Sequence, residues 1–313
     1  MDLIANELAA HDAEAVRAET PGTGASSVEV SSGNAVFYLN GRRTVPTLSS
    51  VLVSSSRWLN DPRIREWMAT ESLRSNGHDY PLLYGTPTLL RAIDEVRDTA
   101  RAAEVIAAER ARNPVLDAWF AEQHVSSYTK ADLGGYPEGS LGRLLFAYMD
   151  EHDLSTELDP RIMENPGWKP SSDIEYFNLR SGQTHDFYHI LGEIGFSSIA
   201  EYFITGVVMG NLFRHTSADF AGEALTVNSL IMMPWMMRTM LHYPAVWPTL
   251  WRNLSVGYET GLQSDMLFTV KYEPLLHLTP AEVREAIGWR GFDGPLDSLD
   301  AALVFGEGRE IIP

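Results

Sequence analysis

Apolar residues return every three to four positions along most of this chain, the spacing that turns one face of a helix toward a core. Leu90, Ile93, Val96, Ala100, Ala103 and Ile106 carry that period. They predict a helix from Leu89 to about Arg112, ended by Asn113-Pro114. A short helix is expected from Val115 to Phe120. Tyr136-Pro137-Glu138-Gly139-Ser140 has turn chemistry, and Leu144, Leu145, Tyr148 and Met149 predict a helix behind it. Residues 153–173, with Pro160, Pro166, Gly167 and Pro170, read as irregular. Helix is expected again around residues 185–213 and from 221 to 262, with a kink at Pro234 and breaks near Pro244 and Pro248. Thr279-Pro280-Ala281-Glu282 starts a last helix with proline in its first turn.

Strand signals are few. Val28-Glu29-Val30 and Ala35 to Leu39 suggest one hairpin across Ser32-Gly33-Asn34, with a second turn at Asn40-Gly41. After Trp289 the chain is rich in Gly and Asp and reads as a tail. No repeat period stands out. The expected fold class is all-α, mostly helical with at most a small N-terminal hairpin, arranged as a helical bundle.

Two segments are apolar nearly all round. Ile199 to Phe213 holds Tyr202, Phe203, Ile204, Val207, Val208, Met209 and Leu212. Val227 to Leu241 holds Met232, Met233, Trp235, Met236, Met237 and Met240. Such helices are buried or face something greasy, and methionine adapts to irregular surfaces. Core packing or a dimer interface is one reading. A groove for an isoprenoid or acyl tail, contacted by Met232 and Met236, is the other.

Composition narrows the classes. The 313 residues suffice for one large domain or two modest ones. A formal charge of −18 repels phosphate backbones, which argues against nucleic acid as a partner. There is no cysteine, so disulfides, iron–sulfur clusters, thiolate zinc sites and cysteine nucleophiles are excluded. The N-terminal residues lack a basic leader and an apolar signal core. No apolar run reaches the roughly 18 residues of a membrane span. A cytoplasmic location is expected, with peripheral association at the inner membrane. Neither a P-loop nor a Gly-x-Ser-x-Gly elbow is present.

The candidate chemistry lies in His185-Asp186-Phe187-Tyr188-His189, followed after eleven residues by Glu201. Positions four apart share a helix face, so His185 and His189 can reach one ion. Asp186 sits about 100° around the helix and can reach in only from the side. Two neutral imidazoles and two carboxylates suit a divalent cation such as Zn, Fe or Mn. Gly192, Gly195, Ser197 and Ser198 interrupt the helix. In one straight helix Glu201 would lie about 160° from His185; a helix–turn–helix can fold it back. Ser198 to Glu201 also has the form of a capping box, a purely structural use of the glutamate. A His-Asp metal phosphohydrolase is a further alternative. It needs ligands such as His124, His152 and Asp219, and leaves His189 and Glu201 outside its pattern.

His-Asp-x-x-His, eleven residues, then Glu resembles the signature of the Coq-four family of ubiquinone (coenzyme Q) biosynthesis. Pro137-Glu138-Gly139-Ser140-Leu141-Gly142-Arg143 is similar to a second family segment, followed by a Tyr148 helix end. Arg112-Asn113-Pro114, Lys271-Tyr272-Glu273 and Ala281 to Gly288 resemble further elements in the same order. The resemblance runs from Arg112 to Trp289. Residues 1 to about 85 and the tail have no counterpart, and Ile194-Gly195-Phe196-Ser197-Ser198 replaces the family's usual Pro-Thr-Asn turn. The implied organisation is an N-terminal extension over 1–111, a Coq-four-like helical domain over 112–289 and a tail over 290–313.

What the resemblance implies is a metal site between two motif helices. Its ligands would be His185, Asp186, His189 and Glu201, with zinc usual and iron or manganese as alternatives. The family's roles are removal of the ring carboxylate from prenylated 4-hydroxybenzoate with hydroxylation at the same carbon, a decarboxylase (lyase) activity, or the non-catalytic organisation of quinone-biosynthesis enzymes. The site redeployed on another aromatic or natural product is a further alternative. The implied partner is a prenylated aromatic or isoprenoid lipid; a second copy of the chain, as a dimer, is expected from the apolar helices. Tyr188 and Tyr202 stand close to the motif as candidate substrate contacts.

Overall fold

The computed structural model describes residues 54, 56–73, 86–151, 156, 168–197 and 199–292. They belong to Val53–Pro313, one of two units into which the chain divides. The proposed hairpin, the N-terminal 53 residues and nearly all of the tail lie outside the described residues. What is described is helical: α1 (Pro62–Leu73), α2 (Thr86–Val96), α3 (Thr99–Arg112), α4 (Pro114–Glu122), α5 (Lys130–Gly134), α6 (Leu141–Glu151), α7 (Asp173–Leu191), α8 (Ala200–His215), α9 (Ala218–Ala224), α10 (Thr226–His242), α11 (Trp247–Gln263) and α12 (Pro280–Ala286). No strand occurs among the described residues. The all-α bundle expected from the apolar period is what forms.

Several boundaries follow from local chemistry. Asn113 closes α3 and opens α4: its side chain accepts from the Leu116 N–H at 3.2 Å, and Pro114 fills the first helical position. Thr279 and Glu282 form a reciprocal capping box at α12. The single helix expected over 89–112 is two. Asp98 accepts from the Arg101 N–H at 3.0 Å and starts α3 anew. The apolar period runs across this break and so conceals it. The stretch 221–262 is likewise split, into α9, α10 and α11, with α10 assigned as continuous helix through Pro234.

α7 is the central element. Its first turns place Ile174, Tyr176 and Phe177 in a core with Val105, Ile106, Leu116, Trp119, Phe120 and Phe220. Its last turns place Phe187, Tyr188 and Leu191 in a second core with Leu141, Leu145, Phe203, Val207 and Tyr272. The N-terminus of α6 is held by the C-terminal segment: the Leu141 and Gly142 N–H groups donate to the Leu278 and Leu276 carbonyls at 2.7 and 2.9 Å. These are donors that a helix start leaves without an internal partner.

α8 and α11 pack backbone to backbone. Gly206 and Gly210 face Gly257 and Gly261, and a Cβ added at Gly257 would lie 2.1 Å from the Phe203 carbonyl oxygen. Asn211 seals the contact. It donates to the Gly261 and Asp265 carbonyls and accepts from the Leu267 N–H, at 3.1, 2.8 and 2.9 Å. This close pairing places the start of α8, with Glu201, relative to the rest of the bundle. No described helix is long and apolar enough to cross a membrane.

A buried carboxylate joins α3 to α9. Glu109 accepts from the Ser217 N–H at 3.0 Å, the Ser217 hydroxyl at 2.6 Å and Arg112 Nε at 2.8 Å. Burial pushes its pKa up, but these hydrogen bonds outweigh burial and the pKa lies below the usual glutamate value. The folded form therefore gains stability above the unfolded-state pKa and loses it as pH falls through the lower folded value. Glu109→Gln is expected to cost about 1.5–3 kcal/mol at neutral pH, the range for hydrogen bonds to a charged group. The gap between wild type and variant in urea unfolding should shrink from pH 7 to pH 3. A gap constant across that range would refute the assignment.

Candidate metal centre

Ser172 caps α7, its hydroxyl accepting from the Glu175 N–H, and the helix then runs without a break to Leu191. His185 and His189 therefore stand one turn apart on one face. The chain reverses through residues 192–199, and the first turn of α8 brings Glu201 back to the pair. One nitrogen from each histidine and one Glu201 oxygen all lie within 4.8 Å of one another. Bonds of about 2.0–2.2 Å to a divalent cation set two ligand atoms no more than about 4.4 Å apart, so the three atoms need only small side-chain shifts to share an ion.

The second contacts of the two rings set their tautomers. His185 Nδ1 lies 2.7 Å from the Gly182 carbonyl, and His189 Nδ1 lies 2.6 Å from the Gly195 carbonyl. A carbonyl only accepts, so each Nδ1 carries the hydrogen and each Nε2 keeps a lone pair. Gly195 has φ +72°, a left-handed backbone that glycine adopts at no steric cost. Both Nε2 atoms sit against anions: His185 Nε2 is 3.0 Å from Asp186 Oδ1, and His189 Nε2 is 3.3 Å from Glu201 Oε1. His189 Nε2 is fully buried and makes no hydrogen bond. Lone pairs facing carboxylate oxygens repel unless a cation or a proton lies between them. The donor set and the buried unpartnered nitrogen thus fit a divalent cation.

The electrostatics agree. Burial alone would lower the His185 pKa, but the charges of Asp186 and Glu201 and the Gly182 carbonyl raise it. Burial alone would raise the Glu201 pKa; His189 and then His185 pull it below the usual value. Both shifts favour a cation, a proton or a metal ion, beside an ionised Glu201.

The sequence-derived candidates separate by position. His185, His189 and Glu201 come together, while Asp186 stands outside that group of three and reaches His185 from the side. Glu201's carboxylate faces His189; Ser198, its partner in the capping-box reading, lies outside the described residues. Tyr188 is buried in the main core beside Trp289. Tyr202 is buried with its hydroxyl 3.3 Å from Thr239 Oγ1. Met232 is buried with Tyr202, Trp235 and Leu250, and Met236 packs half-buried against them. Met233, Met237, Met240 and Leu241 are the large apolar side chains that α10 exposes. His124 pairs with Glu273 at 3.2 Å and Asp219 lies 3.5 Å from Arg101. Neither joins the cluster a His-Asp hydrolase would need.

Sequence reasoning assigned no role to the aromatic wall of the site. Phe196 stacks on the His189 ring with centroids 4.5 Å apart, and Tyr148 stacks on Phe196 at 3.5 Å. Phe196 lies in the turn between His189 and Glu201, a placement legible in the sequence. Tyr148 comes from α6, and no spacing ties it to the histidines. A concavity of about 670 Å³ lies elsewhere, lined by Ile106, Arg110, Pro114 and Asp173 among others; none of the three grouped residues lines it.

No protein-family model and no curated protein sequence matches the chain. Among solved structures, the chain is similar to a crystal structure from Nostoc punctiforme PCC 73102, of a protein provisionally assigned to ubiquinone biosynthesis. The two share 19% sequence identity, with a TM-score of 0.52 over 73% of this chain and 96% of the other. At that identity the likeness is one of fold.

Proposed function

We propose that this chain is a metal-dependent protein of ubiquinone biosynthesis that acts on a prenylated 4-hydroxybenzoate-type ring, releasing the ring carboxyl as carbon dioxide and hydroxylating the same carbon, with dioxygen and water consumed and dioxygen reduced by two electrons to hydrogen peroxide. The observation that carries the reading is the trio His185, His189 and Glu201, its rings fixed through Nδ1 so that both Nε2 lone pairs are free to bind. The motif resemblance, and a fold shared with a protein provisionally assigned to the same pathway, support it.

His185, His189 and Glu201 hold the cation, zinc first and iron or manganese as alternatives. A divalent cation there supplies Lewis acidity toward a carboxylate or phenolate oxygen. Asp186, outside the trio, takes the ring hydroxyl's proton. The Phe196 ring covers one face of His189, and the Tyr148 ring covers Phe196 in turn. The test is carbon dioxide release from a prenylated hydroxybenzoate by protein loaded with Zn, Fe or Mn in air. Release that is lost in His185→Ala is the expected result. No release with any of the three metals overturns the enzyme reading.

One observation favours a second reading, a lipid-binding scaffold that organises a quinone-biosynthesis complex. Met233, Met237, Met240 and Leu241 on α10 and Trp251 on α11 expose large apolar side chains. A scaffold would bind a prenylated lipid without turnover, and Met237→Ser with Met240→Ser would weaken that binding while the fold stayed intact.

A further inference from the structure

We infer that Tyr148 is a positioning residue for the metal centre, acting through Phe196 to hold the turn between α7 and α8 against His189. The inference rests on the metal reading of the site. It starts from the middle of that turn: Gly192 and Ile194 bond back to α7 carbonyls, Glu193 pairs with Arg284 at 3.0 Å, and Ile194 and Ile199 are buried, whereas Gly195 is exposed and Phe196 only half-buried. Residues 192–199 include Gly192 and Gly195, and Glu193 also adopts a positive φ of 52°. Yet this segment delivers two things the centre requires. The Gly195 carbonyl accepts the His189 Nδ1–H at 2.6 Å and so fixes the ligand tautomer. The same segment leads into α8 and sets where Glu201 arrives.

The aromatic stack clamps the turn from outside. Phe196, next in sequence to Gly195, lies over the His189 ring with an interplanar angle of 19°. Tyr148 lies over Phe196 at 3.5 Å and 11°. Three rings from α7, the turn and α6 are thus layered in order. Tyr148 is anchored by a different element: α6 is pinned at its start by the Leu276 and Leu278 carbonyls and buries Leu141, Leu145 and Met149. The clamp therefore ties a glycine-rich turn to a fixed helix. Burial, and then the nearby charges of Asp186 and Glu201, push the Tyr148 phenol up to about 12, so it remains neutral beside the site.

The stacking ring does this work, so removal of the ring and removal of the hydroxyl have different results. Cobalt(II) affinity is the first readout, measured by titration of the full chain. Tyr148→Phe keeps wild-type affinity. Tyr148→Leu weakens it by about 10- to 100-fold, the usual effect of losing a contact that orients a metal ligand. Phe196→Leu tests the same stack from its other partner if Tyr148→Leu does not fold. The second readout is the pair of exchangeable imidazole N–H signals, paramagnetically shifted in the cobalt form. In Tyr148→Leu the His189 signal is lost to solvent exchange while the His185 signal, held by Gly182 within the helix, persists. Leucine variants with wild-type affinity and both signals overturn the clamp and leave the metal centre standing. A wild type that takes up no cobalt overturns the metal centre and the clamp with it.

Discussion

Gly257→Ala is expected to destabilise the protein by about 3 kcal/mol or more, at the upper end of overpacking costs. The new Cβ would sit 2.1 Å from the Phe203 carbonyl oxygen. That atom belongs to a helix backbone and cannot rotate away as a side-chain tip can. Gly210 makes the reciprocal approach, 2.1 Å from the Tyr258 carbonyl oxygen, so the two helices must separate to admit a methyl group on either. Separation breaks the Asn211 bonds to the Gly261 and Asp265 carbonyls and moves the helix that carries Glu201. In a thermal melt the expected fall is about 6–12 °C, taking about 2–4 °C per kcal/mol for a domain of this size. Gly222→Ala is the control. Nothing lies within 4 Å of a Cβ there, and alanine inside an exposed helix is expected to be neutral or to stabilise by up to about 1 kcal/mol. Equal melting temperatures for Gly257→Ala and Gly222→Ala would refute the close contact of α8 with α11.

The second large effect concerns the metal. His189→Ala should lower the affinity for zinc or cobalt by more than about 100-fold, exceeding the 10- to 100-fold typical of outer-contact changes. It removes the buried nitrogen that has no other partner and leaves the Gly195 carbonyl without its donor. Glu201→Gln should act similarly, because an amide carries no charge to offset the cation. Asp186→Asn discriminates between four ligands and three. Its carboxylate stands outside the trio and contacts His185 Nε2 at 3.0 Å. If three residues bind, Asp186→Asn retains most of the metal, while a true fourth ligand loses as much as Glu201→Gln. Elemental analysis of the purified variants reads the difference, and His189→Ala with full metal content would refute the centre.

The glutamate and the aspartate of the motif mark where sequence reading stops. Helix geometry alone tied Asp186 to its angular position, and its carboxylate contacts His185 Nε2 at 3.0 Å. Glu201's arrival depended on whether residues 192–199 reversed the chain, which glycine content permits but does not dictate. The segments resembling known elements also separate by role. Pro137 to Arg143 and Asn113 serve architecture, as a docking site for the C-terminal segment and as a double helix cap. Only the His-Asp-x-x-His helix and Glu201 supply the atoms that could hold an ion.

By itself the sequence determined what depends on neighbours within a turn or two of the chain. The helical class follows from the apolar period, the breaks at Asn113 and Thr279 from cap chemistry, and the shared face of His185 and His189 from a spacing of four. Even here the Asp98 break went unread, because the period continues across it. The tertiary structure alone decided which carboxylate joins the histidines, which methionines are buried, and that Tyr148 covers the site. Those outcomes are contacts between segments far apart in sequence. They depend on the close approach of α8 to α11 and on the turn at Gly195, where backbone meets backbone or ring, and no local propensity encodes that meeting.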